Sequence, residues 1–173
     1  YFSCFVFLQK ILDNFSNLSQ AEIISIQTVC WASSCCSVWL FSKLIKNNQF
    51  YKNIIYGCVA IIISALLAPK LIQINSLLSC SLISILLITA NSLIISGIAP
   101  YFCAQFGAKS RFSVTAISYN IGTTASAIIA TAIAMQNIKS HSIWNYSLLL
   151  IISAVITALI TLLNRRSAKS KLA

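Results

Sequence analysis

Acidic residues are almost missing from this sequence: Asp13 and Glu22 are the only two among 173 residues, beside one histidine, one methionine, two prolines and four glycines. So few carboxylates leave no pair for general acid–base work. With His141 alone in its segment, no Ser/His/Asp set can be assembled, and no Gly-rich phosphate loop is present. An enzyme is therefore not expected. Cys4, Cys30, Cys35, Cys36, Cys58, Cys80 and Cys103 form no CxxC pair and no Cys/His metal spacing, so neither a metal nor another cofactor is expected. Most of them fall inside apolar runs and read as small packing residues. Adjacent Cys35 and Cys36 are poorly placed for a disulfide with each other.

What the sequence does have is apolar length. It is 58% hydrophobic and 8% charged, far from the composition of soluble domains and indicative of a membrane protein. The net charge of +10 comes from twelve Lys and Arg. Nucleic-acid binding would gather these on one folded polar face. Here they sit in short segments between apolar runs, so membrane lipid is the expected partner and nucleic acid is not.

A hydrocarbon core of about 30 Å takes about 20 helical residues. On that measure the chain reads as an all-α bundle of about six transmembrane helices in a single domain: a partial span at 1–9, then 21–41, 54–69, 76–100, 112–135 and 146–164. Lys and Arg accumulate in short cytoplasmic loops. Alternating the loops puts Lys43, Lys46, Lys52, Lys109, Arg111, Arg165, Arg166, Lys169 and Lys171 on one side, against Lys10, Lys70 and Lys139 on the other. The expected placement is the inner (plasma) membrane, multi-pass, with 165–173 as a basic cytoplasmic tail. "LDNFSNLS" and "QNIKSHSIWN" are read as outer loops too short for a soluble domain. Pro69 and Pro100 are expected near span ends, where a missing amide donor costs little. The chain opens inside an apolar segment and its only Met is Met135. The expectation is a later portion of a longer polypeptide, or a product that has lost its front half.

Helices in lipid are brought together by small residues that permit close approach. Ser118, Gly122, Ser126, Ala130 and Ala134 stand at every fourth position and form a ridge for packing against another helix. Polar residues inside spans are candidates for a solute path. Asn91, with Ser84 one face-repeat earlier, lies near mid-bilayer, where an unpartnered amide costs several kcal/mol. It serves either a ligand or an interhelical hydrogen bond. Gln27, Trp31 and Ser34 recur at i, i+4 and i+7, and an indole beside an amide suits a quaternary ammonium. Tyr119 and Asn120 begin the inner third of their helix, where they fit either a gate or a structural bond. Glu22 stands at the outer end of its span, as a proton carrier or a solvated interfacial acid.

The stretch "FGAKSRFSVTAISYNIGTTASAIIATAI" resembles the major facilitator superfamily, specifically the metabolite:proton symporter branch that includes proline/betaine transporters. Phe106 and Arg111 match a cytoplasmic loop that precedes the penultimate helix. Phe112, Ser113, Ala116, Ile117, Tyr119, Asn120 and Ile121 match the helix that follows. Gly107 stands where that loop has proline, and "FSKLIKNNQFYK" lacks the acidic, Gly and Arg residues of another family loop. The resemblance implies the carboxyl-terminal six-helix half of a twelve-helix secondary transporter. It further implies proton-coupled symport of proline, betaine or a related small osmolyte by rocking of two halves. The implied partners are a small zwitterionic solute, protons and a missing amino-terminal half, without which the chain should not transport. The alternatives are a decayed or split gene product without activity, or a small structural subunit of a membrane complex.

Overall fold

A computed structural model describes residues 2–44, 50–105, 111–139 and 143–170. Those residues form six α-helices and, among the described residues, no strand: α1 Phe2–Phe15, α2 Gln20–Leu44, α3 Phe50–Gln73, α4 Leu77–Gln105, α5 Arg111–Lys139 and α6 Ile143–Ser170. Each overlaps one expected span and runs past its carboxyl-terminal end; 21–41, 54–69, 112–135 and 146–164 fall wholly inside a helix, whereas α1 and α4 begin one residue after the expected starts at 1 and 76. The apolar count finds the segment that hydrocarbon can hold, whereas backbone hydrogen bonding continues wherever a helix remains the best conformation. α1 continues through Lys10 and Asp13 to Phe15, so its connection to α2 shrinks to residues 16–19. The basic tail is helical as far as Ser170.

Both prolines stand near the carboxyl-terminal end of an apolar span, yet neither ends its helix. Pro69 and Pro100 lie inside α3 and α4, which continue to Gln73 and Gln105. Each lacks the amide donor for the carbonyl four residues back, Ala65 and Ser96. Membrane helices tolerate this where neighbouring helices and hydroxyl side chains surround the interrupted turn. What ends α3 is Asn75. Its φ of 54° lies in the left-handed region that Asn tolerates, and its amide closes onto the Ile72 carbonyl at 3.0 Å.

α3 and α4 form an antiparallel trunk. A Cβ at Gly57 would sit 2.5 Å from Ile94 Cγ1 and 3.0 Å from the Ala90 carbonyl oxygen, and one at Gly97 would sit 2.8 Å from both Ile54 Cγ1 and the Phe50 carbonyl oxygen. Only glycine lets the backbones come this close. Ala65, Ala68 and Ile72 of α3 and Cys80, Ile83 and Leu87 of α4 are fully buried along the same trunk. α2 packs on α4 through Ile23, Ile26, Cys30 and Ser34, and α6 packs on α3 through a buried stripe that includes Tyr146, Leu150 and Ala154. α1 and α5 touch the rest more sparsely.

The outer faces carry Ile24, Leu66, Leu78, Ile128 and Leu163, each more than half exposed. Continuous apolar faces of this kind are unfavourable in water and ordinary in lipid. Among the described residues four helices are long and apolar enough to cross a membrane: Gln20–Leu44, Phe50–Gln73, Leu77–Ile98 and Ile143–Asn164.

Candidate functional site

α4 carries polar side chains along its length. Ser84 Oγ donates to the Cys80 carbonyl at 2.6 Å, Ser92 Oγ to the Ile88 carbonyl at 2.8 Å and Ser96 Oγ to the Leu93 carbonyl at 2.8 Å. These local bonds satisfy hydroxyl protons inside a helix. They also leave hydroxyl oxygens free to accept. Ser34 of α2 lies 3.3 Å from Ser92, and with the Ser92 proton committed to its own helix Ser34 is the donor. Asn53 of α3 donates to Ser96 at 3.5 Å, and Asn164 of α6 donates to the Tyr101 hydroxyl at 2.6 Å. Side-chain bonds thus tie α4 to each of α2, α3 and α6.

Asn91 sits among these ties without one of its own. It is 4% exposed, and its Nδ2 is buried with no partner among the described residues. Thr115 Oγ1 and Ser147 Oγ are in the same condition. An orphaned amide donor in an apolar medium is unfavourable by about 1–3 kcal/mol. Such a group either meets an acceptor supplied from elsewhere or is a standing destabilisation.

A crevice between α1, α2 and α4 is lined by Gln9 and Gln27 together with Leu12, Ile26, Cys30 and Ile88. Its free volume of about 10 Å³ admits about one water molecule. An amino-acid-sized solute does not fit.

The structure separates several residues that the sequence groups. Gln27 is half-buried at the crevice. Trp31, on the same nominal face, is 45% exposed. The buried stripe of α2 runs through Ile23, Ile26, Cys30 and Ser34, and at about 100° per residue Trp31 falls outside it. Glu22 caps its own helix. Its Oε2 accepts from both the amide and the hydroxyl of Ser19 at 2.8 Å, and Ser19 Oγ accepts from the Glu22 amide at 3.4 Å. This reciprocal capping box occupies the carboxylate that the sequence offers as a proton carrier. The signal was present as Ser19-Gln20-Ala21-Glu22.

On α5, Tyr119 is 54% exposed and Asn120 is exposed. The small-residue ridge does not pack within this chain over its described part. Ser118 is half-buried, Ser126 is exposed with its hydroxyl bonded to the Thr123 carbonyl at 2.9 Å, and a Cβ at Gly122 meets nothing within 4 Å. The side chains of Ala130 and Ala134 lie outside the described ones, as does that of Arg111, the first residue of α5; Phe106 lies wholly outside the described residues. The close helix contact is made instead by Gly57 and Gly97, which no repeat advertises: each is a lone glycine in an apolar run. Of the cysteines, Cys30, Cys58 and Cys80 are buried as packing residues, while Cys35 and Cys36 are exposed.

Among the described residues, helices with apolar outer faces and an apolar core crossed by a few side-chain hydrogen bonds, four of them long and apolar enough to span, define an all-α, multi-span membrane protein. The chain matches no protein-family model, no curated protein and no solved structure.

Proposed function

We propose that this chain is the carboxyl-terminal six-helix half of a secondary transporter of the major facilitator type. It carries proline, betaine or a related small osmolyte together with protons, in the inner membrane, with its carboxyl terminus in the cytoplasm. It works by rocking against a second six-helix half and does not transport alone. The motif-level resemblance across residues 106–121 and the one-sided distribution of Lys and Arg support the family and the orientation.

The observation that carries the reading is the open face of α5. A seam of small residues has value only where a helix backbone comes close, and Gly122 has open space before it. A second half supplies the missing helix. The exposed Tyr119 and Asn120 then stand at the junction of the halves rather than in lipid. Asn91, like Thr115 and Ser147, keeps hydrogen-bonding capacity in the interior, and its amide is the one we assign to a solute carboxylate.

Uptake of labelled proline and betaine tests this in a host lacking its own transporters. The chain is expressed alone and together with the amino-terminal half of a proline/betaine-type transporter. Uptake is expected only from the pair. Uptake by the chain alone, or none from a pair that co-assembles, contradicts the proposal. The small size of the crevice favours a second reading, a non-transporting subunit that docks through α5, for which the pair assembles without uptake.

A further inference from the structure

The two acidic residues share one end of the bundle. Asp13 is in the last turn of α1 and Glu22 in the first turn of α2. From residue 23 onward the sequence has no side-chain carboxylate. The opposite end is the one at which the Tyr101 hydroxyl accepts from Asn164 and the Tyr101 ring meets those of Phe50 and Tyr51, at centroid distances of 6.4 and 5.5 Å.

These contacts bring the basic residues of α3 and α6 to one level. Lys52 follows Tyr51 and is exposed; Arg165 and Arg166 follow Asn164, with Lys169 one turn on in the same helix. α2 runs parallel to α4, with Ser34 against Ser92, so the next two to three turns bring Lys43 to the level of Tyr101. Arg111 opens α5, six residues after α4 ends at Gln105. Lys43 holds its Nζ 3.8 Å from the centre of the Trp39 ring, and Trp39 is 59% exposed. An exposed Trp at the end of an apolar helix marks the depth of the lipid headgroups. A lysine stacked on it lies at phosphate depth, with ammonium protons still available.

We propose that this end of the bundle is a docking surface for the headgroups of anionic phospholipids, held by Lys43, Lys52, Arg111, Arg165, Arg166 and Lys169. Charge decides the occupant. From residue 23 onward the sequence has no acidic side chain to neutralise these groups, and Lys43, stacked on Trp39, stands at the depth where a bilayer presents its own anionic phosphates. Juxtamembrane clusters of this size attract anionic lipid. The proposal depends on the membrane class alone and stands whether or not the chain transports.

The test uses the full chain taken into mild detergent from membranes of phosphatidylcholine and phosphatidylglycerol, with retained lipid counted by mass spectrometry. Phosphatidylglycerol is expected to be enriched over its bulk share. Each neutralised cation in the series Lys43→Gln, Lys52→Gln, Arg165→Gln, Arg166→Gln and Lys169→Gln is expected to weaken that retention about fivefold. Lys10→Gln with Lys70→Gln, at the other end, should leave it unchanged. Should the variant carrying all five of these changes fail to fold, the wild-type chain supplies the second arm: enrichment must fall at about 0.5 M salt, where surface charges are screened. The proposal is overturned by enrichment that survives the series or the salt, or that vanishes equally in the Lys10/Lys70 variant. Equal retention of inorganic phosphate or an oligonucleotide in pure phosphatidylcholine also overturns it, because the surface then has no preference for lipid.

Discussion

Gly57 of α3 and Ile94 of α4 stand so close that a single added carbon on the glycine would lie 2.5 Å from Ile94 Cγ1. This approach, repeated at Gly97 against Ile54, sets the spacing of the trunk on which α2 and α6 pack. Gly122 of α5 is the opposite case, a glycine in a small-residue seam with open space before it.

Gly57→Ala is therefore expected to destabilise the chain by about 1–3 kcal/mol, because the new methyl must displace backbone as well as the Ile94 side chain. Gly122→Ala is expected to be neutral or to stabilise by up to about 1 kcal/mol, from helix propensity alone. Thermal unfolding of the two variants in detergent checks both. Equal effects would mean that the trunk is not set by glycine.

The Asn164–Tyr101 bond joins α6 to α4 at 2.6 Å. Tyr101→Phe removes the acceptor while keeping the ring against Phe50 and Tyr51. A loss of about 0.6 kcal/mol is expected, the usual size of such bonds in membrane bundles. Asn164→Leu should match it, and the double variant should cost less than the sum, because both changes delete one interaction.

Asn91→Leu has an expected sign unlike other polar deletions in the interior. Its Nδ2 has no partner to lose, so replacing the amide with a side chain of similar size should raise stability by about 1 kcal/mol. Uptake by the assembled pair should fall, since the free amide is the group offered to solute. A drop in stability would show that Asn91 serves the fold.

Glu22→Gln is expected to leave stability nearly unchanged, because a glutamine completes the capping box with Ser19. Ser19→Ala should cost about 1 kcal/mol through the loss of the cap. If Glu22→Gln abolishes uptake by the pair without moving the unfolding temperature, the carboxylate has a second role in proton movement.

Much of the fold was legible because lipid imposes a simple rule: runs of about 20 apolar residues fold as helices. The runs at 21–41, 54–69 and 146–164 each fall inside one helix. The ends were not legible, since polar residues such as Lys70, Gln73 and Arg165 continue a helix without adding to hydropathy. Nor was the trunk. A ridge of five small residues catches the eye at 118–134, whereas Gly57 and Gly97 act alone, and their importance lies in the chance alignment of two helices far apart in sequence. The face of Trp31 was misjudged for a related reason. Spacing fixes which residues of a helix lie together but not which side a neighbour will cover. Asn91 was recognised as an inward amide, but its orphaned donor depends on what the facing helices fail to offer.

The face of α5 is the centre of the account, and co-purification measures it directly. A tagged chain is expressed with the amino-terminal half of a proline/betaine-type transporter, as wild type and as Gly122→Leu. The wild type should retain the half, and the variant should lose about tenfold in retention, equivalent to roughly 1.4 kcal/mol. The unfolding temperature of the variant chain alone should be unchanged, because nothing within 4 Å of that position is disturbed. Equal retention by both chains, or a destabilised variant chain by itself, would contradict the account.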